Sequence, residues 1–80
     1  MTTARIEYHD EACERFDDAW TLCFQRCTYH YDDRESQPGY RFIWRRPDGT
    51  LQPARGQARI PDAGTLERLT EAARAEGWYG

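Results

Sequence analysis

The chain contains no lysine, so each of its eleven basic residues is an arginine. Codon usage in a GC-rich genome accounts for that bias, yet it has a physical consequence. Guanidinium forks pair with carboxylates and phosphates in fixed geometry, whereas ammonium groups act as point charges. Glycine (6) and proline (4) are sparse, which with 39% hydrophobic and 31% charged residues excludes a disordered tail. No apolar run approaches the length of a membrane span, and Met1 to Arg5 carries no apolar signal region. Three cysteines, an odd number, do not make a disulfide framework, and the reading is a reduced, cytoplasmic protein. No spacing announces a reaction or a cofactor, and eighty residues form one domain, 1–80, without the depth for a substrate cleft. Enzymatic activity is not expected.

What is present is segregated charge. Residues 1–39 hold nine Asp or Glu against four Arg, net −5, and residues 40–80 hold five against seven, net +2. Two faces of different sign are expected, and the core must lean on aromatic residues, 14% of the chain.

The apolar spacing predicts an α+β domain. Ala4 to Tyr8 alternate with period two, so Ile6 and Tyr8 fall on one side of a short strand. From Asp10, a helix-capping residue type, to about Tyr29, apolar residues recur at Cys13, Phe16, Trp20, Cys23 and Cys27, in steps of three and four that predict a long first helix. Asp32 to Gly39 reads as a loop. Tyr40–Arg46 and Thr50–Ile60 read as an antiparallel hairpin about Pro47-Asp48-Gly49, with Arg45 facing Leu51. A second helix follows, capped by Asp62, with Leu66, Leu69 and Ala73 as its apolar stripe and Gly77 just past its end. Both helices are expected on one face of a two- or three-stranded sheet.

In that hairpin register Tyr40, Phe42 and Trp44 lie under the helices. Arg41, Ile43, Arg45, Leu51, Arg55 and Arg59 share the opposite face. Four arginines around two aliphatic anchors make this the first candidate for partner binding. The second candidate is the outer side of the long helix: Asp10, Glu14, Asp17 and Asp18 beside Leu22 and Tyr29, acids around apolar anchors that are able to imitate a phosphate row. A solvated helix face explains the same acids without a role.

Cys23, Cys27 and His30 are spaced to offer thiolate and imidazole from one helical quadrant. Structural zinc needs four ligands, and the set is incomplete, so buried cysteines acting as small hydrophobes are expected and no metal is assigned. The arginine face lacks stacking rings, and a pI near 5.3 disfavours nucleic acid. The function expected is a small, non-enzymatic prokaryotic interaction protein, of a phage or mobile element, that binds a protein partner. Its effect would be to modulate or inhibit a larger machine, a nucleic-acid-handling complex such as a CRISPR effector among the possible targets. The alternative is a nucleic-acid-binding module using the arginine face. Membrane binding is not expected.

Overall fold

The computed structural model describes residues 4–52 and 58–79. Three antiparallel strands, β1 (Ala4–Arg15), β2 (Thr21–Tyr31) and β3 (Gln37–Arg45), form one sheet in the order β1-β2-β3, and one helix, α1 (Ala63–Ala75), follows. The long first helix does not form. Its place is taken by the second half of β1, a tight turn and nearly all of β2.

The reason lies in where β2 sits. As the central strand it is buried on both faces. Leu22 and Phe24 point to one side, Cys23, Gln25 and Cys27 to the other, and all five are buried. Burial on both faces erases the period-two signature. The surviving Cys, Phe and Trp positions then imitate helical spacing. The break at residues 16–20 is equally hidden, because the turn Phe16–Trp20 contains no glycine or proline. It closes with Phe16 N–H donating to the Trp20 carbonyl at 2.8 Å and Ala19 N–H to the Phe16 carbonyl at 2.9 Å. Ala19 takes the left-handed φ of 69°.

Paired residues across antiparallel strands point the same way, so the register fixes two faces. Glu14↔Leu22↔Trp44, Ala12↔Phe24↔Phe42 and Asp10↔Arg26↔Tyr40 lie on the helix side. There Leu69 and Ala73 of α1 pack on Leu22 and Phe24, with Ala12, Phe16, Phe42, Trp44, Ile60, Trp78 and Tyr79 around them. The core is aromatic, as composition required: Phe24 stacks on Phe42 with centroids 4.4 Å apart, and Trp78 lies 5.4 Å from Phe24. Asp62 Oδ1 caps α1 by accepting Thr65 N–H at 2.7 Å. Gly77 N–H and Trp78 N–H bond back to the carbonyls of Arg74 and Ala73, a Schellman end that folds Trp78 onto the core. Leu66, expected in the apolar stripe, is 37% exposed, and Thr65 is buried in its stead.

The hairpin turn forms with Gly49 at φ 93°, and Arg45 bridges Leu51 in the register read from the sequence. The return strand to Ile60 does not form as expected: Leu51 makes an isolated bridge, residues 58–60 are not in a strand, and residues 53–57 lie outside the described residues. Among the described residues no helix is long and apolar enough to cross a membrane.

Candidate interaction face

The sheet face opposite α1 carries the site. A bulge between Tyr8 and Asp10 rephases β1, so Ile6 and Tyr8 share this face with Glu11, Cys13 and Arg15 instead of opposing them. From β2 come Thr21, Cys23, Gln25, Cys27, Tyr29 and Tyr31, and from β3 come Gln37, Gly39, Arg41, Ile43 and Arg45.

One hydrogen-bonded chain crosses all three strands. Arg41 Nε donates to Gln25 Oε1 at 2.8 Å, and Gln25 Nε2 donates to Glu11 Oε2 at 2.8 Å. Arg45 grips Glu11 with both terminal nitrogens, at 2.8 and 3.2 Å, in the bidentate geometry that a lysine does not offer. Gln25 has no exposed surface, and its amide is satisfied at both ends, which removes the cost of burying it. Burial raises the Glu11 pKa, but the bonds from Arg45 and Gln25 outweigh it and hold the carboxyl below its ordinary value. The same pairing holds the Arg45 guanidinium charged.

Two thiols sit beside this chain. Cys13 and Cys23 are cross-strand partners, with sulfurs 3.1 Å apart, and Arg45 Nη1 lies 3.6 Å from the Cys23 sulfur. The contact between them lowers the pKa of Cys23 and, together with burial, raises that of Cys13. Cys27 is buried, its sulfur 3.5 Å from the Gln25 carbonyl, and burial pushes its pKa up. Tyr29 lies over Gly39, with its ring 2.8 Å from where a Cβ would stand.

The sequence-derived candidates are redistributed. Arg41, Ile43 and Arg45 do share this face, with Leu51 beside Arg45. Ile43, however, is 4% exposed and offers no contact surface. Arg59 lies at the helix side, where its carbonyl accepts Trp44 Nε1–H at 2.9 Å, and Arg55 lies outside the described residues.

The acidic helix face is dismantled together with the helix. Asp10 pairs with Arg26, Glu14 pairs with Arg68 of α1 at 2.7 Å, and Asp17 and Asp18 sit in the exposed turn. Leu22 is in the core and Tyr29 is on the opposite face. Cys23 and Cys27 likewise part from His30, which turns to the helix side and bonds Glu7 and Ser36.

Among the described residues, Glu11, Cys13 and Cys23 are the grouping whose donor atoms come within 4.8 Å of one another. A cation there would have to displace Arg45, which already holds Glu11 and borders the Cys23 sulfur.

No family model, curated protein or solved structure matches this chain. The face is therefore read from its own chemistry.

Ile6 and Tyr8, overlooked as contact residues, are 37% and 43% exposed on this face, and Tyr29 and Tyr31 continue the aromatic row from β2. Their signal was the short alternation of residues 4–8. Glu11, Cys13 and Gln25 gave a fainter one: Cys13 and Cys23 are equidistant from Asp18, so a turn placed there pairs them.

Proposed function

We propose that this is a non-enzymatic interaction protein that binds a protein partner through the open face of its sheet. The observation that supports this most is the pairing of exposed Ile6 and Tyr8 with arginines already held in place, on a face that α1 does not cover. Tyrosine and arginine dominate the energetics of protein interfaces, and a side chain fixed before binding loses less entropy on contact. Ion pairing of Asp10, Glu11 and Glu14 speaks against imitation of a phosphate backbone. Inhibition of a nucleic-acid-handling machine, the target class considered from the sequence, would then work by occupying a protein surface.

A second reading has an observation of its own. Tyr8, Tyr29 and Tyr31 supply the rings that the hairpin alone lacked, and Arg15 and Arg41 lie on the same face, a combination suited to single-stranded nucleic acid. The two readings separate in one experiment. The tagged protein is used to capture partners from lysate of its host, with and without nuclease, beside a Tyr8→Ser/Arg41→Glu variant, and is titrated directly with DNA and RNA at about 50 mM salt. A protein retained through nuclease treatment and lost with the variant is the expected result. Direct binding that weakens steeply by about 200 mM salt supports the second reading, and capture unaffected by the variant excludes the open face.

A further inference from the structure

We propose that Cys13 and Cys23 form a reversible dithiol site, which closes to a cross-strand disulfide when a hydroperoxide reaches Cys13. The site is independent of the proposed partner, because its chemistry can be measured on the purified chain alone.

Three features of the structure carry it. The residues are direct partners in the register of β1 and β2, and their sulfurs are already 3.1 Å apart. Directly opposed residues in antiparallel strands have Cα atoms roughly 4.5–5.5 Å apart, inside the span of a disulfide, so neither strand has to move. Exposure then divides the roles: Cys13 is exposed and Cys23 has no exposed surface. Cys13 is the sulfur that a dissolved oxidant meets, and Cys23 is the sulfur that resolves the product. Arg45 Nη1, 3.6 Å from the Cys23 sulfur, favours the thiolate form of the resolving residue. The third thiol does not compete. Cys27 is four residues along the same strand from Cys23, roughly 13 Å away at strand rise, and is itself buried.

Cys13 passes its proton to the Cys23 thiolate along their contact while its sulfur attacks the distal oxygen of the hydroperoxide. The O–O bond breaks, and the alkoxide leaves and takes a proton from water, releasing hydroxide. Cys23 sulfur then attacks the sulfenic sulfur of Cys13, the S–S bond forms, the S–O bond breaks, and hydroxide leaves with the Cys23 proton as water. One thiol and one thiolate lose two electrons, and the hydroperoxide is reduced to an alcohol and hydroxide, the water used by the alkoxide being returned when the S–S bond forms. A low-molecular-weight thiol reverses the bond by exchange.

The test is stepwise addition of hydrogen peroxide to the reduced full chain, followed by alkylation under denaturing conditions and peptide mass mapping. The expected product has lost two hydrogens, links Cys13 to Cys23, leaves Cys27 alkylated and returns to the dithiol with dithiothreitol. Cys27→Ser keeps this product, while Cys13→Ser and Cys23→Ser abolish it, with circular dichroism confirming that each variant is folded. Arg45→Gln slows closure by roughly tenfold without changing the product. Sulfinic acid at Cys13 with no internal bond, a Cys13-linked dimer as the main product, or a Cys23–Cys27 bond overturns the proposal. So does one equivalent of zinc that shields both thiols. An unchanged rate in Arg45→Gln overturns the role given to Arg45.

Discussion

Ala19 occupies in the first hairpin the backbone position that Gly49 occupies in the second. Both have positive φ, 69° and 93°, and both donate an N–H to a carbonyl three residues earlier, Phe16 or Arg46, at 2.9 Å. In both turns the preceding aspartate accepts the following amide: Asp18 from Trp20 at 3.1 Å and Asp48 from Thr50 at 2.9 Å. The two turns are one design with different residues at the left-handed position.

That equivalence predicts opposite effects of reciprocal changes. A left-handed alanine costs about 1–2 kcal/mol, and a glycine loses about 0.4–1 kcal/mol through its freer unfolded chain. Ala19→Gly is therefore expected to stabilise by about 0.5–1 kcal/mol and Gly49→Ala to destabilise by a similar amount. A Cβ on Gly49 meets no atom within 4 Å, so its effect is purely of the backbone. Urea denaturation of the two variants checks both signs.

Leu22 distinguishes the sheet from the helix expected in its place. It has no exposed surface and packs with Phe24, Leu69 and Ala73. Leu22→Ala is expected to cost about 2–5 kcal/mol. A surface leucine on a solvated helix would change stability by less than about 0.5 kcal/mol. Chemical denaturation decides between the two.

Gly39 is required by a neighbour and not by its own backbone. An added Cβ would stand 2.8 Å from Cε1 of Tyr29 and 3.1 Å from Cδ1, so the ring has to leave its place over β3. Gly39→Ala is expected to destabilise by about 1–3 kcal/mol, as overpacking does. The loss should shrink when Tyr29→Ser removes the ring. A double-mutant cycle measured by thermal unfolding checks the coupling.

Stability is expected to fall in acid, with a sign fixed by depressed carboxyl groups. The bond from Arg68 lowers the Glu14 pKa, and the backbone bond from Thr65 lowers that of Asp62. Glu11 is lowered against the opposing effect of its burial. Unfolded carboxyls titrate near about 4. As the pH drops below that value the unfolded chain takes up protons first, so the stability these groups add is complete above it. It drains away as the pH falls through the lower, folded values. The urea midpoint should hold from about pH 7 to 5 and decline below about 4, and Glu14→Gln should flatten the decline.

The sequence by itself determined the Pro47-Asp48-Gly49 turn with Arg45 opposite Leu51, and the C-terminal helix from its Asp62 cap to its Gly77 end. Each of these rests on local chemistry, a cap, a turn or a left-handed glycine, which a few adjacent residues specify without the rest of the chain. It also placed Arg41 and Arg45 on the face away from Phe42 and Trp44, because alternation within one strand is local as well. Only the tertiary structure decided that residues 10–29 are strands. Their fate turned on β2 lying between β1 and β3, where burial on both faces replaces alternation with a continuous buried run. The same placement brought Glu11, Cys13, Gln25 and Arg45 together from three strands. The bulge after Tyr8 put that residue on the face of Cys13, which neighbours in the sequence cannot encode, since the phase of an edge strand is set by the partner it pairs with.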